Sequence, residues 1–153
     1  MLTNKDYCDY DTCVALKKLG FPQDYIFARY AEVDKWVEYT SHKKGDLIIS
    51  EDRFAFTLED ESIVAPLLYE AQKWLRKKRG MHVVPELGLI YRDKNGLTQN
   101  YRVLVKDMDS DIIITLYNDR DDFESYEEAL SKGIRKAAEL LKNKDKQKSP
   151  KNS

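Results

Sequence analysis

The residues best equipped for chemistry lie between Asp107 and Glu128. Asp107, Asp109 and Asp111 alternate along the chain as ligands do at the start of a calcium loop, where oxygens at every second position turn toward one hard cation. That loop also needs glycine at its sixth position and a bidentate glutamate at its twelfth, and here those positions hold Ile112 and Asn118. The run therefore reads as a polar turn in which aspartate caps its own backbone. Asp119, Asp121, Asp122, Glu124, Glu127 and Glu128 follow. Paired carboxylates can perform acid/base or two-metal chemistry, but only opposite an electrophile. No partner can be named for them, and acidic residues at a helix start are what the macrodipole favours.

The other reactive side chains are scattered. His42 and His82 have no cysteine or carboxylate companion at ligand spacing. Cys8 and Cys13 stand five apart, which fits neither a redox pair nor a zinc pair, so both read as free thiols in a reducing, cytoplasmic compartment. No nucleophile elbow, zinc-protease helix or glycine-rich phosphate loop occurs. The expectation is no catalytic residue, no metal site and no cofactor.

A basic cluster is the remaining candidate. Lys73, Arg76, Lys77, Lys78 and Arg79 crowd one helix end against the single acid Glu70, with Arg76, Lys77 and Arg79 as the residues to grip phosphates. Cations also belong at a helix C-terminus on dipole grounds, and no aromatic side chains are interleaved to stack on bases. The whole chain carries 26 basic and 27 acidic residues, which argues against nucleic-acid binding by bulk charge.

These residues need a scaffold, and the 153-residue chain is long enough to bury a core without staples. Asp11 is the expected cap of a helix over 12–19, ended by Gly20, Phe21 and Pro22. Four bursts of β-branched and aromatic residues, 25–31, 36–40, 47–50 and 53–57, suggest a meander of small strands. The acidic stretch 59–62 marks a seam. Pro66 fits the first turn of a helix that buries Leu68, Ala71 and Leu75 and ends at Gly80.

Residues 81–84 and 87–91 are strand-like, with Pro85 marking a bulge or an edge, and Asn95-Gly96 makes a hairpin turn. From Tyr101 to Tyr117 the alternation has period two. Val103, Val105, Ile112, Ile114 and Leu116 are the expected core face, and Arg102, Leu104, Lys106, Ile113, Thr115 and Tyr117 the opposite one. Ser125 and Glu128 form a capping box for a final helix reaching Leu141. The expected organisation is an α+β chain with an antiparallel meander flanked by helices. Residues 1–61 form a small N-terminal part, 62–142 an α-β-β-β-α unit, and 143–153 a disordered lysine-rich tail.

Helix, three strands, helix is also the order of a double-stranded-RNA-binding domain, and Lys132-Gly133-Ile134-Arg135-Lys136-Ala137-Ala138 resembles that family's last helix. That helix opens with lysines in the family and with Glu124, Ser125, Tyr126, Glu127 and Glu128 here, so the resemblance is one of topology. Ala65-Pro66, Ala71-Gln72-Lys73-Trp74-Leu75-Arg76, Gly80 and Phe123-Glu124-Ser125-Tyr126-Glu127-Glu128-Ala129-Leu130 are similar to small uncharacterised proteins of Bacteroides-type gut bacteria and their phages. That resemblance implies a mobile-element setting and no activity.

The functional expectation follows from the second sheet face. It is too apolar to be left in water as a patch, so either the N-terminal half or a partner, another protein or a second copy, is expected to cover Arg102, Leu104, Lys106, Ile113, Thr115 and Tyr117, and a protein partner is the leading reading. No membrane contact is expected, since no apolar run approaches a bilayer span. Nucleic-acid binding by the basic helix end and the lysine-rich tail is the alternative.

Overall fold

The computed structural model describes residues 3–23, 28–37, 40–49, 62–116 and 123–148. The fold is α+β, and the chain divides into two compact units, Met1–Leu67 and Leu68–Ser153.

In the first unit, α1 spans Tyr10–Lys18. Its cap is Asp9, whose carboxylate accepts from the Thr12 amide at 2.8 Å, and not Asp11, which sits in the first turn where an acid suits the dipole. Gly20, at φ +95°, turns the chain so that the Phe21 amide reaches back to the Leu16 carbonyl at 2.9 Å. Strands β1 (Ala28–Ala31), β4 (Leu47–Ile49) and β5 (Ser62–Val64) form an antiparallel sheet in the order β4-β1-β5. Between β1 and β4 the chain makes a hairpin of β2 (Lys35–Val37) and β3 (Thr40–His42), so the burst 36–40 is a hairpin and not one strand. The burst 53–57 lies outside the described residues.

The expected seam at 59–62 is displaced. Ser62 begins a buried strand paired with β1, and the division falls after Leu67. Pro66 consequently belongs to the first unit, where its carbonyl accepts from the Cys8 amide at 3.0 Å, and the following helix starts two residues later. Buried Arg29 on β1 ties the sheet to its surroundings. Its guanidinium donates to the Ser62 hydroxyl and carbonyl and to the Gln23 carbonyl. Tyr30 donates its hydroxyl to the Cys8 carbonyl at 2.7 Å, and burial, with Cys13, Cys8 and Asp9 nearby, raises its pKa well above the ordinary value.

The second unit is the expected α-β-β-β-α arrangement: α2 (Leu68–Arg79), β6 (Met81–Asp93), β7 (Gly96–Asp107), β8 (Ile113–Leu116) and α3 (Tyr126–Lys148). The sheet is antiparallel in the order β6-β7-β8. Alternation decides its faces. Val83, Val103 and Val105 are buried beneath the two helices, as are Leu68, Ala71 and Leu75 of α2 and Ala129, Leu130, Ile134, Ala137 and Leu141 of α3. Gly133 lets α3 come close to the strands: a Cβ there would stand 2.6 Å from Val83 Cγ1 and nearer still to Val103. Ile112 departs from the expected core. It lies in the loop before β8 and is 54% exposed, while Ile114 and Leu116 keep the core side. The β6–β7 turn is Lys94-Asn95, with Gly96 at φ +114° opening β7.

Residues 143–148, expected to be disordered, continue α3. Their apolar content is nil, and the reason they are helical is electrostatic, as described next.

Candidate functional site

The fold brings two of the charged candidates together. Lys144 on α3 donates to Asp107 at 3.2 Å and to Asp109 at 3.1 Å, while Arg79 at the end of α2 donates to Asp145 at 2.7 Å. Around them is a cavity of about 290 Å³ lined by Lys78, Arg79, Gly80, Asp109, Leu141, Lys144 and Asp145. Burial alone would raise the Asp107 carboxyl. The Asp109 amide at 2.9 Å and the Lys144 ammonium outweigh it and hold Asp107 below the ordinary carboxylate value. Lys144 is raised, first by its bond to Asp109 and then, against its own burial, by Asp107.

This arrangement is a clasp. Asp107 and Asp109 hold Lys144 and Asp145 holds Arg79, so most of the charges around the cavity are turned on one another. The calcium-like spacing is used to hold a lysine, as a polar turn would. Among the described residues no three His, Cys, Asp or Glu side chains are placed to hold a metal. Of the three nucleic-acid candidates, Arg76 and Lys77 are exposed, whereas Arg79 is engaged by Asp145.

The remaining reactive groups stay apart. Asp119, Asp121 and Asp122 lie outside the described residues, and Glu124, Glu127 and Glu128 are exposed at the start of α3, where the Ser125 hydroxyl accepts from the Glu128 amide at 3.1 Å. His82 is half-buried on β6 opposite Lys106. Cys8 and Cys13 are buried free thiols.

The second sheet face is gathered as alternation predicts. Leu104 pairs with Val84 on one side and Thr115 on the other, and Lys106 pairs with His82 and Ile113, so all six share one surface with Arg102. Ile113 is 54% and Val84 46% exposed; Arg102 and Thr115 are exposed, Leu104 and Lys106 half-buried. Tyr117 lies outside the described residues. Val84 escaped the sequence reading because Pro85 interrupts its strand, although its period-two offset from Val83 marks it.

The two edges of this sheet differ. Tyr101 exchanges both backbone bonds with Phe123 at 2.7 Å, and the Asp107 amide bonds the Ile112 carbonyl, so odd-numbered residues of β7 point their backbone toward β8 and even-numbered ones toward β6. Pairing then turns Val83, Pro85 and Leu87 outward on β6. Each is blunted: Gln72 donates its side-chain amide to the Val83 carbonyl at 2.6 Å, Pro85 has no N–H, and the register slips after Leu87. On β8 the same parity turns the N–H and C=O of Ile113 and Thr115 outward, and among the described residues nothing bonds them.

No protein-family model matches the chain, and searches of curated proteins and of solved structures likewise find no match.

Proposed function

We propose that this chain is a non-enzymatic protein-interaction module whose contact surface is the outer face of the β6-β7-β8 sheet. The observation that carries the reading is the exposure of Val84 and Ile113 beside half-buried Leu104, an apolar centre rimmed by Arg102, Lys106 and Thr115. Interfaces have this make-up, an apolar middle with a polar rim. The chemistry-bearing charges, in contrast, are paired with one another in the clasp. Two buried free thiols support a reducing, cytoplasmic setting. The likeness to proteins of gut bacteria and their phages supports a mobile-element context. Among the described residues no helix is long and apolar enough to cross a membrane.

The test is affinity capture and sedimentation of the full chain beside a Val84→Lys/Ile113→Lys variant. The reading expects capture of a protein or self-association that the variant loses while its melting temperature holds. A monomer that captures nothing, or capture indifferent to the variant, overturns it. Binding to nucleic acid that falls steeply with salt, and that disappears when Arg76, Lys77 and Arg79 become alanine, would establish the alternative instead.

A further inference from the structure

We propose that the solvent face of α2, built from Tyr69, Lys73, Arg76 and Lys77, is a second contact surface and takes a short acidic segment of a partner protein with a large apolar residue at one end. The inference rests on the protein-interaction reading and adds the chemistry of what is bound, on a surface other than the outer sheet face.

Three observations lead to it. The first is spacing. Tyr69, Lys73, Arg76 and Lys77 stand at positions i, i+4, i+7 and i+8 of one helix, so their side chains share a face, and all four are exposed, Tyr69 to 61%. The opposite face carries Leu68, Ala71 and Leu75, which are buried. The helix is thus anchored by one side and presents an aromatic ring and then three cations on the other. Its one acid, Glu70, lies in the first turn, ahead of the cations.

The second is that these cations have no carboxylate to answer them. Among the described residues Lys73, Arg76, Lys77 and the neighbouring Lys78 enter no ion pair, whereas Arg79 is held by Asp145 and Lys144 by Asp107 and Asp109. The helix dipole accounts for cations in the last turn, Arg76 to Arg79, but not for Lys73, which lies before it.

The third is the division of charge. Of the 26 basic and 27 acidic residues, α2 and α3 hold 12 and five, and the rest of the chain holds 14 and 22. The near-neutral total therefore sums two basic helices and an acidic remainder. A nucleic acid is drawn by extended positive charge, which a chain of net charge -1 does not offer, and it stacks on successive aromatics, of which this face has one. A short acidic segment needs only the stripe itself. From Tyr69 to Lys77 the helix rises about 12 Å, the reach of about four extended residues, so three carboxylates and one apolar side chain match three cations and one ring. Basic clusters of this kind recur in the recognition of acidic motifs, and the Arg76 guanidinium can hold a carboxylate through two parallel bonds.

The probe is a fluorescein-labelled, capped hexapeptide, Phe-Glu-Asp-Glu-Asp-Glu, titrated with the full chain at low salt and read by anisotropy. Saturable binding is expected, weakened at least about tenfold by Lys73→Glu/Lys77→Glu and about threefold by Tyr69→Ala. Melting temperatures should hold, because the substituted side chains are exposed. Arg92→Glu/Lys94→Glu makes the same change of charge at exposed positions of the β6–β7 hairpin and should alter affinity by less than about twofold. The peptide with glutamine and asparagine in place of its acids should not bind.

Absence of binding at roughly millimolar chain overturns the inference. So does equal weakening by Arg92→Glu/Lys94→Glu, which would mean attraction to net charge alone. A deoxythymidine oligonucleotide that binds more tightly than the peptide and is lost in Lys73→Glu/Lys77→Glu would make the occupant a single-stranded nucleic acid, which also overturns the proposal. Peptide binding abolished by Val84→Lys/Ile113→Lys would move the site to the sheet face and overturn it as well. Partner capture indifferent to that variant, with peptide binding intact, would remove the outer-face reading and leave the α2 surface standing.

Discussion

The two faces of the C-terminal sheet are built from alternate residues of the same three strands, and they have opposite fates. On one, Val83, Val103 and Val105 are buried under helices that Gly133 allows to approach closely. On the other, Val84 and Ile113 sit beside half-buried Leu104, among Arg102, Lys106 and Thr115, with much of their own surface in water. Folding of the unit requires the first set, because that is where apolar area is removed from solvent. The apolar content of the second has no such explanation.

Stability measurements can break or sharpen this contrast. The largest effect is expected for Gly133→Leu, whose added atoms collide with Val83 and Val103; overpacking of this kind should cost about 3 kcal/mol in chemical denaturation. Val103→Ala, which removes buried methyl groups from the same face, should cost about 2 kcal/mol. Next comes the clasp. Lys144→Met should cost up to about 1 kcal/mol, read as fraying of the last turns of α3 by amide exchange.

The clasp also has a pH signature. Since Asp107 is held below its ordinary value of 3.8, its contribution is present above that pH and is lost as the pH falls through the lowered value. Over the same range the Lys144→Met variant should show a flatter profile. The smallest effect belongs to the outer face, where Val84→Thr and Ile113→Thr should each change stability by no more than about 0.5 kcal/mol. If either costs as much as Val103→Ala, the two faces are not distinct and the outer one is structural.

Much of this unit could be read from residue order because its determinants are local. Gly80 closes α2, Ser125 caps α3, and strict alternation separates Val103 and Val105 from Leu104 and Lys106. Pro85 announced an edge strand and lies on one. What stayed hidden depends on partners distant in sequence. Ser62–Val64 is a strand because β1 lies beside it, not because of its neighbours in the chain. The helix persists to Lys148 because Lys144 and Asp145 meet Asp107, Asp109 and Arg79, a meeting no periodicity reports. Asp9 and Asp11 are chemically equivalent caps, and only the start of α1 at Tyr10 chooses between them.

The clasp makes the last turns of α3 part of the folded unit. Lys144 and Asp145 hold groups before β8 and at the end of α2, so a chain cut after Leu141 would lose both attachments at once.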